Sequence, residues 1–216
     1  IRNKYDQVFK CLWNNNGVEA TDEPFFQPGS YGTNNIYKGT DGYKWKYMYT
    51  IDVGSKTKFM DSSWMPIPVG ENTPNPIQTD AGYGDVEVIN VIDGGSAYDP
   101  ANAAITVVVT GDGMGATGTA TVEGGVITDI VVTKTGADYT YADITITSAT
   151  GSGATAIAPV SPPGGHGSDP TSELGAVYTM FICEFNGTEE TNGVKMVPTD
   201  IEYYQTGLII NPSDYN

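Results

Sequence analysis

The chain has 216 residues, 39% of them hydrophobic, with 27 glycines, 13 prolines and 14 tyrosines. That hydrophobic fraction is enough for a packed core, and the abundance of Gly, Pro, Tyr, Thr and Val favours short strands and tight turns over helices. Ten Lys+Arg against 26 Asp+Glu leave a formal charge of −16, a field that repels phosphate backbones and anionic lipid and so argues against nucleic acid and membrane as partners.

No run of about 18 apolar residues is present, and the first residues lack the apolar core and small-residue site of a signal peptide. Cys11 and Cys183 each sit in an apolar, strand-like run (VFKCLW and MFICEF), which predicts reduced, buried thiols and a cytoplasmic origin rather than a disulfide framework. The sequence opens at Ile1 and enters a strand pattern almost at once, as a piece of a longer protein would.

Strand signals begin with 5–13 and are clearest at 43–52, where Tyr43, Trp45, Tyr47, Tyr49 and Ile51 alternate with Lys44, Lys46, Met48 and Thr50, giving one aromatic face and one mixed, partly basic face. Trp45 and Tyr47 suit a core; Tyr43 and Tyr49, near the strand ends, are candidates for a protein interface. Between these strands, 14–42 is rich in Asn, Gly, Pro and Thr without helical period and is predicted to be a long surface excursion. Its Phe25, Phe26 and Tyr31 are further interface candidates, either tucked onto the domain's own core or buried in a partner.

Residues 65–84 contain Pro66, Pro68, Pro74 and Pro76, which read as an extended neck and a domain boundary. Beyond it VEVINVIDGGSAYDPANAAITVVVTGDGMGATGTATV is echoed by ITDIVVTKTGADYTYADITITSATGSGATAIAPV: Gly95 aligns with Gly136, Tyr98 with Tyr139, Ile105 with Ile144, and 115–117 with 153–155. Two copies of about 40 residues are too few for a solenoid or propeller and predict a small pseudo-symmetric β-module, with Gly124-Gly125 as the two-residue turn joining the copies. After Pro162-Pro163-Gly164-Gly165, alternating strands resume at 177–185 and 203–210 and are expected to pair back onto 1–64. The predicted class is therefore all-β: a discontinuous antiparallel domain, 1–84 with 161–216, carrying an inserted two-repeat module, 85–160.

Chemical motifs are weak. Gly113-Met114-Gly115-Ala116-Thr117-Gly118 has G-x-G-x-x-G spacing, but strand and turn residues follow where a phosphate site needs a helix, so a turn is expected. His166 is the sole histidine, and Ser168 and Asp169 lie too close along a glycine loop to form a triad with it; a loop residue ordering the return to the first domain is expected instead. Asp93, Asp99, Asp112, Asp138 and Asp143 gather around the repeat turns without calcium-loop spacing, and turn chemistry explains them. Asn186-Gly187-Thr188 fits a hairpin turn better than a glycosylation acceptor. Neither a catalytic site nor a cofactor or metal is predicted.

Five segments, VFKCL (8–12), GTDGYKWKYMYTI (39–51), WMPIP (64–68), SPPGGHGSDP with ELGA (161–176) and YYQTGLIINP (203–212), resemble in order and spacing the baseplate wedge subunit, the gene-eight product family, of T-even-like contractile-tailed phages. The SPPGGHGSDP segment is similar to members from phages of cyanobacteria. The resemblance implies a non-enzymatic virion protein, assembled in the host bacterial cytoplasm, that forms homodimers and contacts other wedge proteins in the tail baseplate. It does not reach 85–160. That module could be a carbohydrate-binding unit recognising host-surface glycans, with Tyr98, Tyr139 and Tyr141 as candidate sugar-stacking rings.

Overall fold

The computed structural model describes residues 1–27, 35–67, 81–100, 105–185, 190–191, 194–195 and 203–210, with side chains described up to residue 182. The chain is all-β, built from antiparallel sheets.

An N-terminal sheet has the order β1-β3-β2, from β1 (Gln7–Trp13), β2 (Ile36–Lys38) and β3 (Lys44–Thr50). The strand β2 lies inside the stretch predicted as a surface excursion. The alternation on β3 is real, but both of its faces are covered: Lys44, Trp45, Lys46, Met48 and Tyr49 are all buried. Val8, Met48, Tyr49 and Ile51 form one apolar cluster, closed by Met60, Ile67 and Leu174. A short helix α1 (Val53–Phe59) follows β3 and is capped by the Asp52 carboxylate, which accepts from the Ser55 N–H. That bond satisfies one donor of the first turn, while Lys56 and Lys58 sit favourably in the last turn.

The segment after the neck is a six-stranded sheet of order β4-β9-β8-β5-β6-β7: β4 (Asn90–Ser96), β5 (Thr106–Gly111), β6 (Thr117–Glu123), β7 (Val126–Lys134), β8 (Ala142–Thr147) and β9 (Ser152–Ile157). It is nearly closed. A bridge between Ile89 and Ile130 and the bonds Val86 N–H to Thr135 O and Tyr98 N–H to Gly125 O draw the first strand's flanks onto β7. Burial alternates with period two along β5, β6 and β8. Thr and other polar side chains thereby face out, while Val86, Ile89, Ile127 and Ile130, with Val107, Val109, Ile144 and Ile146 against them, fill the interior.

The repeat maps onto this sheet with its strands exchanged. The third strand of each copy pairs with the first strand of the other, β6 with β7 and β9 with β4, while the two middle strands, β5 and β8, pair along six residues. Gly124 and Gly125 have φ of +61° and +83° and connect the paired Glu123 and Val126, the two-residue turn predicted from sequence. Gly113 and Gly115 lie in the turn from β5 into β6, and Gly118 is already the second residue of β6.

The returning chain forms the four-residue helix α2 (Pro170–Glu173), then β10 (Tyr178–Phe185), a two-residue pair β11 (Glu190–Thr191) with β12 (Val194–Lys195), and β13 (Tyr203–Ile210). The expected pairing onto 1–64 is replaced by a hairpin: β10 and β13 pair with each other along eight residues, and among the described residues no strand of the N-terminal sheet joins them. The return reaches the N-terminal part through side chains instead, with Leu174 in its apolar cluster and the Tyr178 ring edge-on to Trp64 at 4.8 Å.

Candidate functional site

Of the residues proposed for an interface, most are used by the chain itself. Phe26 stacks on Tyr47 at 4.0 Å with rings almost parallel, and its backbone N–H and carbonyl are both held by the Gln7 side-chain amide. Phe25 is only partly covered, edge-on to Tyr5 at 5.0 Å. Tyr43 stacks on Trp45 and donates to the Val18 carbonyl. Tyr49 is 3% exposed and donates to the Pro66 carbonyl, and burial pushes its hydroxyl far above the usual phenol range; it belongs to the core and offers a partner nothing. Tyr31 lies outside the described residues, as do 186–188. Cys11, expected to be buried, is exposed because its side of β1 lies outside the apolar cluster; no side-chain description reaches Cys183.

The glycan candidates divide two to one. Tyr98 and Tyr139 are each 3% exposed, their hydroxyls accepting from the Ala154 and Ala116 N–H groups of the opposite copy at 3.2 and 3.4 Å. These rings lock the two copies together and cannot stack on a sugar. The turn position misled because tyrosine is common in exposed turns, whereas here each ring lies on a bare glycine of the other copy, Gly151 or Gly113. Tyr141, at 56% exposure, remains open.

The turn aspartates act locally. Asp112 accepts from the Thr140 N–H and hydroxyl, which bring its carboxyl down to about 2, and Asp93 accepts from the Gly95 N–H. Among the described residues no group of three His, Cys, Asp or Glu side chains could hold a metal ion. An open depression of about 540 Å³ lies between α1 and the first loop, where Lys56 and Asp6 pair at 2.7 Å.

The densest chemistry lies at a seam that sequence reasoning did not single out. Four lysines of the N-terminal sheet, Lys10 on β1, Lys38 on β2 and Lys44 and Lys46 on β3, meet carboxylates of the module and of α2. Lys46 Nζ is 2.6 Å from Glu87 Oε1; Lys44 Nζ donates to the Ile89 carbonyl at 2.7 Å and lies 3.3 Å from Asp129, which also takes Lys38 at 2.6 Å. Lys10 lies 3.1 Å from Glu173, whose Oε2 is also 3.2 Å from His166 Nδ1. Ser168 and Asp169 are engaged elsewhere, on the Gly165 carbonyl and on the first turn of α2.

Burial sets the electrostatics of this seam. It pushes the Glu87 carboxyl above its ordinary value, with Lys46 pulling the other way, and pushes the Lys44 ammonium below its own against the pull of Asp129. Burial also opposes the charges on Asp129 and Glu173, but Lys38 and Lys44 in one case, and His166, Lys10 and the Gly167 N–H in the other, hold those carboxyls below the usual range. The sequence signal is present as Lys44 and Lys46 spaced two apart on the mixed, partly basic face of a strand, and charged residues are seldom fully buried unless paired. Chemically the seam is a clamp between the N-terminal sheet, the module and the return segment.

No family model, curated protein or solved structure matches this chain.

Proposed function

We propose that the protein is a structural virion component, a wedge subunit of a contractile-tail baseplate that works through bound surface rather than turnover, joining a second copy of itself and neighbouring wedge proteins. The observation that carries this reading is the β10–β13 hairpin. Two strands pair along eight residues without a third strand among the described residues, and Val177, Tyr178 and Phe181 at its start stand exposed. An isolated two-stranded hairpin is at best marginally stable in water, and apolar side chains grouped on such an arm mark an interaction surface. The resemblance of 8–12, 39–51, 64–68 and 203–212 to wedge subunits supports the same reading, since the last of these segments contains β13.

The test is sedimentation of the whole chain with and without Val177→Ser and Phe181→Ser. The expected result is a dimer that dissociates in the double variant while the thermal transition of the core sheets is retained. A wild-type monomer that binds no wedge protein refutes the proposal. A carbohydrate-binding role for the module is the second reading, supported by the exposed Tyr141; glycan binding abolished by Tyr141→Ala would favour it.

A further inference from the structure

Lys46 and Glu87 stand apart from the other ion pairs among the described residues: both side chains are no more than 5% exposed, at 4% and 5%. The second carboxylate oxygen, Oε2, is buried with no hydrogen-bond partner. A buried ion pair holds its ground only where its remaining lone pairs are satisfied, and each orphaned buried polar atom calls for an explanation. We propose that Lys46 and Glu87 condense into an isopeptide bond that joins β3 of the N-terminal sheet covalently to the module.

The reaction balances without an external reagent. The ammonium of Lys46 gives up a proton, its nitrogen lone pair attacks Glu87 Cδ, and the C–O bond to Oε2 breaks. That oxygen departs as water with the two protons the nitrogen loses beyond the one it keeps, so that ammonium and carboxylate become a secondary amide plus one water. In bulk solvent such a pair does not condense because hydration stabilises both ions; in the seam burial penalises each of them, and the product is neutral. The 2.6 Å contact to Oε1 brings Nζ to roughly 3.5 Å from Cδ, a near-attack separation, and groups fixed in this way behave as if present at an effective molarity of about 10⁵–10⁸ M. The bond also removes the orphaned oxygen.

Intact-mass spectrometry of the purified, denatured whole chain tests this, followed by proteolysis and fragmentation. The expected result is a mass one water below that of the sequence, localised to a branched peptide joining the segment around Lys46 to the segment around Glu87, with the full mass restored in Lys46→Arg. Chain kept in denaturant from synthesis onward should retain the full mass and lose water only on refolding. The full sequence mass in folded wild-type protein overturns the proposal. So does a loss of water that maps to a succinimide at an Asp-Gly bond such as Asp112-Gly113, and neither result depends on whether any variant folds.

Discussion

Gly113 and Gly151 occupy equivalent places in the two copies, and adding one carbon to either should cost more than adding it at a turn glycine that needs an unusual backbone. A Cβ at Gly151 would stand 2.4 Å from Tyr98 Cγ and 2.7 Å from the Tyr98 nitrogen; at Gly113 it would stand 2.5 Å from both Tyr139 Cγ and the Tyr139 nitrogen. The rings cannot step aside, because each hydroxyl is bonded to the opposite copy. The backbone nitrogens cannot move without displacing a strand. Gly124 is the contrast, with φ of +61° and nothing within 4 Å of its added carbon, so only the left-handed backbone is penalised there, by about 1–2 kcal/mol. Overpacking against a fixed ring and backbone costs about 1–3 kcal/mol and occasionally more, and the double clash puts Gly113→Ala and Gly151→Ala at about 3 kcal/mol each. For a chain of this size that is a fall in melting temperature of roughly 6–12 °C, against roughly 2–8 °C for Gly124→Ala. Urea unfolding followed by circular dichroism measures all three. If Gly113→Ala or Gly151→Ala proves as mild as Gly124→Ala, the tyrosine-on-glycine contact is not what locks the copies.

Four further outcomes are expected. Tyr98→Phe and Tyr139→Phe should each lose about 1 kcal/mol, the net worth of one hydrogen bond, readable in the same urea titration as a lower midpoint with unchanged slope. Phe26→Ser should destabilise the N-terminal sheet by about 2–4 kcal/mol, as loss of a packed aromatic ring does, whereas Phe25→Ser should stay within about 0.5 kcal/mol as a surface change; differential scanning calorimetry separates them. Asp129→Ala should cost about 3 kcal/mol because Lys44 then keeps a buried charge without its carboxylate, and Lys44→Met combined with Asp129→Leu should recover most of it in a double-mutant cycle. Asp22 and Asp41 are held below the usual carboxylate range, Asp22 first by the Thr40 N–H, and Asp41, despite the opposing effect of burial, by the N–H groups of Asp22, Thr21 and Tyr43. Their stabilisation is therefore full above the unfolded carboxylate value and fades as pH falls through the lower folded values, so Asp22→Asn with Asp41→Asn should flatten the acid limb of the stability–pH curve below about pH 4.

The readability of this chain followed how local each cause was. The Gly124-Gly125 turn and the alternating strands β5, β6 and β8 could be read directly, because two adjacent glycines and a period of two are sufficient causes in themselves. The duplication was equally visible, and its Gly124-Gly125 turn implied β6 on β7, but the pairing of β9 back onto β4 was not, since that partner is chosen across the sheet. Tyr98 and Tyr139 were placed on the surface because what buries them, a glycine 53 or 26 residues away in the chain, carries no local mark. The seam was missed for a related reason: the partly basic face of β3 carries no local mark of Glu87 and Asp129, which come opposite Lys46 and Lys44 only in the fold. Helix α1 went unread because VGSKTKF has no apolar stripe, its formation resting on the Asp52 cap.

The exchanged strands make each copy of the module incomplete without the other. Because β6 of the first copy completes its hydrogen bonding on β7 of the second, and β9 of the second on β4 of the first, one copy alone would carry two unfilled edges and half an interior. Two separate, identical chains could fill those edges for each other by the same pairings. The Gly124-Gly125 turn holds both copies in one polypeptide, where Asp112 and Thr150, and Thr140 and Asp99, stand as different residues at matching places.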